Sequence, residues 1–215
     1  MKESDLENER KNYLRSSLSR TDLLPDPIAQ FHLWLDEAFA AQLLEPTAMI
    51  LATVSSQGKP LTRTVLLKGV DPRGFIFFTN LESRKAEHLK KNAAAALSFS
   101  WLALERQVVV TGHAIPLSSK EAERYFASRP RESQLSAWSS PQSRVIPSRA
   151  FLEQQWKVNK NKFGEDKIPL PPFWGGFCIA PDTVEFWQGG RYRLHDRLQY
   201  CKDVRNNWVI ERLAP

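Results

Sequence analysis

Short strand-like runs punctuated by turns recur along most of this chain, and that spacing constrains its fold more than any other feature. Apolar and β-branched stretches at 49–54, 61–68, 75–79, 95–101 and 107–115 are each about one strand long. Turn chemistry such as Ser56-Gln57-Gly58-Lys59 and Asp71-Pro72-Arg73-Gly74 separates them, and the first three read as an antiparallel meander. Further strand candidates lie at 173–179, 183–188, 192–200 and 208–212. Helices are few. Asp26-Pro27 is an N-cap followed by proline in the first turn, opening a helix with Ile28, Phe31, Leu35, Ala38 and Phe39 on its apolar face. A short helix follows Ser83, the capping box Ser118-Ser119-Lys120-Glu121 opens another, and one more spans 148–163 ahead of a Pro-rich link at 169–172. The expected fold is mainly β with peripheral helices, a closed or split β-barrel over 25–215, preceded by a mobile N-terminal arm over 1–24.

Of the 215 residues, 42% are hydrophobic, enough for a core that needs no covalent staple. Cys178 and Cys201 form neither a disulfide framework nor a metal-ligand spacing, so a reducing cytoplasm and no zinc site are expected. Residues 1–20 are densely charged and lack the apolar stretch of a signal peptide, and no run reaches the length of a membrane span. A net charge of +6 favours anionic partners. Acidic residues spread along the whole chain argue against a nucleic-acid surface.

Candidate anion sites follow from cation placement. Between Phe186 and Arg197, the residues Arg191, Arg193, His195 and Arg197 fall at alternate positions, which a strand would present on one face. Arginine does not shed its charge, and burying like charges without partners is costly, so such a face calls for a phosphorylated small molecule or a nucleic-acid backbone. A solvated edge strand with scattered charge is the alternative. The preceding Trp187-Gln188-Gly189-Gly190 suits a stacking wall beside a close backbone approach. Ser83-Arg84-Lys85 puts two cations in the first turn of a helix, against the dipole by about 0.3–1 kcal/mol each. A phosphate there would compensate both, as would side chains bent into solvent. Arg63 and Lys68, an odd number of residues apart on one strand, face opposite sides and do not converge on one ligand. Tyr125, Arg129 and Ser133 recur every four residues across a helix end that Pro130 breaks; the trio suits a phosphate, and so does an ordinary helix terminus with a solvated arginine suit the spacing.

Several segments, in this order, resemble the pyridoxine/pyridoxamine 5′-phosphate oxidases, flavin enzymes that complete pyridoxal phosphate synthesis. They are Arg63-Thr64-Val65-Leu66-Leu67-Lys68, Phe78-Thr79-Asn80, Ser83-Arg84-Lys85-Ala86 and Leu104-Glu105-Arg106-Gln107-Val108 in the first half. Tyr125-Phe126, Ser128-Arg129-Pro130-Arg131, Gln142-Ser143 and Phe173-Trp174-Gly175-Gly176 follow. The C-terminal Val184-Glu185-Phe186-Trp187-Gln188-Gly189, Arg193-Leu194-His195-Asp196-Arg197 and Arg212-Leu213-Ala214-Pro215 are the most specific.

The resemblance implies an FMN-binding split-barrel homodimer with one FMN at each of two sites shared between subunits, so Arg63 and Lys68 need not serve one ligand. It implies FMN contacts by Arg63, Thr64, Val65, Leu66, Leu67, Lys68, Phe78 and Thr79, and by Arg84, Lys85, Gln107, Gln142, Ser143, Trp187 and Arg197. Lys68, Tyr125, Arg129 and Ser133 are implied to hold a substrate phosphate. Arg193, Leu194 and His195 would lie against the pyridine ring, with Arg193 and His195 nearest the chemistry, while Arg10, Lys11, Asn12 and Tyr13 would close as a lid. The implied reaction oxidises pyridoxamine or pyridoxine 5′-phosphate to pyridoxal 5′-phosphate, with O2 as acceptor and H2O2 as product. Some positions depart from the family pattern: Lys11 and Asn12 vary, Cys178 stands where arginine is frequent, and Arg144 follows Ser143 where a second serine is common. Two other readings stand beside this one, a split-barrel flavin reductase with another substrate and a non-catalytic, basic nucleic-acid-binding protein. A dedicated substrate-phosphate pocket separates the first from the oxidase, and no nucleic-acid motif supports the second.

Overall fold

The computed structural model describes residues 12–215. Its strands are β1 (Ala48–Val54), β2 (Pro60–Leu66), β3 (Gly69–Asp71), β4 (Gly74–Asn80), β5 (Ala94–Trp101), β6 (Arg106–Pro116), β7 (Trp174–Gln188), β8 (Asp196–Lys202) and β9 (Trp208–Leu213). They form a nine-stranded sheet in the order β2-β1-β5-β6-β7-β4-β3, with β8 on β7 and β9 on β8. The helices are α1 (Pro27–Ala40), α2 (Arg84–Lys91), α3 (Ser119–Ser128), α4 (Arg131–Ser139) and α5 (Arg149–Phe163). Mainly β with peripheral helices is therefore the observed class.

The expected meander is not observed. β2 pairs at the edge beside β1, whereas β4 pairs with β3 and with β7, in the register Phe75↔Ile179 to Asn80↔Trp174. Burial explains the choice. β2 alternates between exposed and half-buried residues and suits an edge, while β4 carries Phe75 and Phe77 at 0% exposure and must be covered on both sides. The two strands expected at 173–179 and 183–188 are one, β7, which runs through Pro181.

Contacts divide the chain into two compact units. A terminal unit comprises Met1–Met49, Leu97–Thr111 and Asp182–Pro215; a central unit comprises Ile50–Ala96 and Gly112–Pro181. In the terminal unit, α1 begins where Asp26 Oδ1 accepts from Ala29 N at 2.8 Å, with Pro27 in its first turn. Its buried stripe is Phe31, Trp34, Leu35 and Ala38; Phe39, expected on that stripe, is 52% exposed, because a 3.6-residue repeat carries it past the face that Trp34 occupies. Phe31 packs on Phe99 at 4.8 Å and Trp34 meets Phe186 edge-on at 5.0 Å.

In the central unit, α3 has the expected capping box between Ser118 and Glu121. A helix absent from the sequence reading, α4, starts directly after Pro130. Proline ends α3 by displacing Arg129 from helical geometry (φ −74°, ψ 148°) and is equally at home at the start of the next helix. Ala122, Phe126, Leu135, Ile168 and Trp174 form the core here, with Phe78 and Tyr125 packed against it.

Candidate active site

A cleft of the central unit lined by many polar groups has a volume of 590 Å³. Strand β2 supplies Thr64, Val65 and Leu66, the loop after it Lys68, and β4 supplies Phe78 and Thr79. One wall is a layered aromatic platform: Phe78 stacks on Tyr125 at 4.1 Å and on Trp174 at 5.4 Å, with interplanar angles of 14° and 3°. Arg129 lies with its guanidinium carbon 5.0 Å from the Trp174 ring and 5.6 Å from the Phe126 ring. Its Nη1 is buried without a hydrogen-bond partner among the described residues, and burial pulls its pKa down. Burial also pushes the Tyr125 phenol up, which keeps it a donor. Ser133, one turn into α4, lines the same cleft. The spacing of Tyr125, Arg129 and Ser133 thus becomes one cluster with Lys68. Gln134 holds it: its Nε2 donates to Phe126 O at 3.0 Å and Arg129 O at 3.1 Å, satisfying the carbonyls left where α3 ends.

A second cavity in this unit, of 250 Å³, is lined by Leu61, Thr62, Arg63, Arg84, Lys85 and Ser143. Lys85 lines both cavities. Arg63 Nη1 donates to Leu51 O at 3.1 Å and Thr53 Oγ1 at 2.8 Å, yet its Nη2 is buried with no partner among the described residues. Burial, with Arg84 nearby, lowers its pKa. Lys85, 8% exposed, donates to Thr79 Oγ1 at 3.2 Å and Gln142 Oε1 at 3.0 Å. Its ammonium is pulled down to about 8 by burial and then by repulsion from Arg63. Among the described residues, no carboxylate lines either cavity. Arg63, Arg84 and Lys85 gather beside the start of α2, where Ser83 caps the first turn and the carboxylate of that turn, Glu87, is paired with Arg144 instead; such a cluster is what an incoming phosphate needs. The residues present therefore fit a phosphorylated cofactor such as FMN, and Arg129 with Lys68 fits a second phosphate.

The terminal unit carries the remaining candidates. Trp187, at the end of β7, contacts His195 at 4.7 Å, and Tyr13 meets both edge-on at 5.6 Å. The expected strand from Tyr192 is not there. Arg191–Arg193 is a 3-10 turn in which Tyr192 and Arg193 have φ of 56° and 64°, so Arg191, Arg193, His195 and Arg197 do not share a strand face, and β8 starts at Asp196. The cause is Gly190. A Cβ there would lie 2.2 Å from Leu194 O, and the Gly190 N–H donates to His195 Nδ1 at 3.1 Å, folding the loop on itself. That bond fixes neutral His195 as the Nε2–H tautomer. Arg193 and Leu194 are exposed. Arg197 makes a two-pronged ion pair with Glu185 at 2.8 and 3.0 Å and donates to Ala214 O at 2.9 Å, so its charge is already matched.

Of the other candidates, Leu67 is buried away from the cleft lining, Gln107 is half-buried on β6 and Asn12 is exposed. Arg10 and Lys11 lie outside the described residues. Sequence reasoning missed Gln134, Glu185 and the Trp174 platform. A glutamine reaching back to a helix end leaves no local pattern, although the Glu-Phe-Trp run did carry Glu185 within a recognised motif.

Known proteins resemble this chain in sequence and in fold. Residues 35–158 match the family described as pyridoxamine 5′-phosphate oxidase, and residues 174–215 match the pyridoxine 5′-phosphate oxidase C-terminal dimerisation region. A pyridoxine/pyridoxamine 5′-phosphate oxidase of Hahella chejuensis is 54% identical over 211 residues, spanning 98% of this chain and 99% of that one. One from Pseudoalteromonas translucida is 51% identical over 210 residues, again 98% and 99%. Among solved structures, PhzG from Burkholderia lata, in complex with tetrahydrophenazine-1-carboxylic acid, superposes with a TM-score of 0.87 at 30% identity, covering 92% of this chain and 98% of that one.

Proposed function

The chain belongs to the pyridoxine/pyridoxamine 5′-phosphate oxidase family, and from that premise we propose that its two acid-free cavities seat two phosphate esters, one on FMN and one on the molecule it oxidises. It is an FMN-dependent oxidase that converts pyridoxamine or pyridoxine 5′-phosphate to pyridoxal 5′-phosphate, and it works as a homodimer through the region 174–215. The single observation that carries the site assignment is a pair of guanidinium nitrogens with no hydrogen-bond partner among the described residues, Nη2 of Arg63, which lines one cavity, and Nη1 of Arg129, which lines the other. Buried donors without protein partners are rare, and a ligand phosphate supplies the missing acceptors.

Arg63, Arg84 and Lys85, with the backbone of 64–68, Thr79 and Ser143, hold FMN in this reading; Gln107, Gln142 and Trp187 complete its contacts at sites the two subunits share, while Arg197, already matched by Glu185, shapes that region rather than gripping the phosphate. Removal of a hydride from the substrate carbon that becomes the aldehyde, and return of the electrons to O2 as H2O2, is the chemistry FMN supplies when bound. Lys68, Tyr125, Arg129 and Ser133 grip the substrate phosphate and so set where the ring lies. Arg193 and His195 orient the pyridine, because a misplacement of about 1 Å can cost roughly a hundredfold in rate. His195 acts as a hydrogen-bond donor from Nε2; serving as a base at that nitrogen would require giving up its bond from Gly190. Tyr13 is the covering group of the arm. Two free thiols, Cys178 and Cys201, support a reducing cytoplasm as the compartment. Among the described residues no helix is long and apolar enough to cross a membrane.

Anaerobic spectroscopy tests the reading. Purified protein should be yellow, bleach on adding pyridoxamine 5′-phosphate, and stay yellow with unphosphorylated pyridoxamine at the same concentration. Equal bleaching by both compounds would remove the substrate-phosphate pocket from the account, and a colourless protein that takes up no FMN would remove the cofactor seat.

A further inference from the structure

The motif Leu104-Glu105-Arg106-Gln107-Val108 contains a residue that the cofactor and substrate contacts leave without a role. Glu105 is 8% exposed, and it sits in the left-handed region at φ 55° and ψ 37°, which costs a glutamate free energy. Its Oε2 accepts from two successive backbone N–H groups, those of Leu14 and Arg15, both at 2.9 Å. Arg15 Nη1 adds a bond to Ala103 O at 3.0 Å. Apolar packing does not explain the hold on this stretch of arm, because Leu14 is 60% exposed. On its backbone side the same residue accepts from Gly189 N at 2.7 Å and Gln188 Nε2 at 3.1 Å. Glu105 thus joins the arm directly to the segment carrying Trp187 and His195. Tyr13, the residue before the latched pair, rests on both rings, and Gly189 meets it so closely that a Cβ would lie 2.7 Å from its ring.

We propose that Glu105 is a positioning residue that latches the N-terminal arm, keeping Tyr13 against Trp187 and His195 and thereby setting how well the site retains its substrate; this rests on the oxidase reading above. The left-handed backbone turns the side chain toward the arm, and a side chain of this length is needed to reach both N–H groups. Because both bonds go to one oxygen, an amide carbonyl of the same length can accept them too.

The test compares Glu105→Gln, Glu105→Asn and Glu105→Ala as FMN-loaded full-length proteins. Asparagine tolerates the left-handed conformation but is one methylene short, so it removes reach without adding backbone strain. The asparagine and alanine variants should raise KM for pyridoxamine 5′-phosphate about tenfold, the factor expected for hydrogen bonds to a carboxylate, with kcat changed less than about twofold. Trypsin should cut after Arg15 faster in both. Glu105→Gln should restore KM and protection together. Glutamine as impaired as asparagine, unchanged KM in the asparagine variant, or a fall in kcat alone would each overturn the latch. Should the wild type itself fail to oxidise pyridoxamine 5′-phosphate, the functional reading falls, while the order of tryptic cleavage still decides whether Glu105 holds the arm.

Discussion

The cations that line the two central cavities and three arginines of the terminal unit are treated in opposite ways. Among the described residues around the central cavities, Arg63 and Arg129 each bury a nitrogen with no acceptor, and Lys85 donates only to neutral oxygens. In the terminal unit Arg106 pairs with Glu37, Arg197 with Glu185 and Arg212 with Asp196. A guanidinium that must grip a ligand anion is left incomplete by its own protein, whereas one that must hold a shape is given a carboxylate. The same residue type therefore signals binding in one place and architecture in the other, and what distinguishes them is the partner.

The strongest way to break that contrast is Arg63→Met. It should weaken FMN binding to the apoprotein by roughly a hundredfold, since two charge-assisted bonds to a phosphate are lost. The apoprotein itself should melt no lower than wild type, because removing a desolvated, partly unpartnered charge relieves a cost. FMN titration followed by flavin fluorescence and a melting curve of the apoprotein give the two numbers. A melting point well below wild type would make Arg63 architectural after all. Next in size is Arg129→Met, expected to raise KM for pyridoxamine 5′-phosphate about thirtyfold while FMN titrates as before. Loss of FMN binding in that variant would merge the two seats into one.

This contrast was only half legible in the sequence. Helix starts were readable because a cap is a local event: Asp26, Ser83, Ser118 and Ser148 each cap the helix that follows, with the bonding partner three residues away. Strands were readable as segments but not as neighbours, since β4 pairs with residues a hundred positions downstream and burial of Phe75 and Phe77 decides that pairing. The Arg191 to Arg197 stretch failed for a related reason. Alternation of charge predicted a strand, but the backbone obeys the contact between Gly190 and Leu194 and the bond to His195, which create the turn. The positions of Arg63, Lys85 and Arg129, with Tyr125 beside them, were visible as motif; the missing counter-charges around the three cations were visible only in three dimensions.

A smaller effect is expected on the paired side. Glu185→Gln leaves Arg197 with a neutral partner at a site where the side chains are 14% and 32% exposed, so the cost is on the order of 1 kcal/mol. For a chain of this size that lowers the melting midpoint by about 2–4 °C. Differential scanning calorimetry of the FMN-loaded protein measures it. An unchanged midpoint would mean that this carboxylate is not structural, and the division between gripping and shaping cations would lose its terminal half.

The smallest effect sharpens the central half, and it follows from Lys85. An ordinary lysine titrates near 10.5, and here burial and Arg63 bring the group to about 8. In the apoprotein the folded state then holds fewer protons than the unfolded chain between about pH 8 and 10.5, so apoprotein stability rises with pH across that window and gains nothing below it. FMN reverses the sign, because its phosphate attracts the charged ammonium and binding must recover any proton already lost. The charged fraction falls from about nine-tenths at pH 7 to about one-half at pH 8, so FMN binding should weaken by about twofold between those values. Lys85→Arg, which stays charged throughout, should flatten that dependence even if its bulkier head lowers affinity overall. A slope in the arginine variant as steep as in wild type would assign the titration to another group and remove Lys85 from the set of cations waiting for a phosphate.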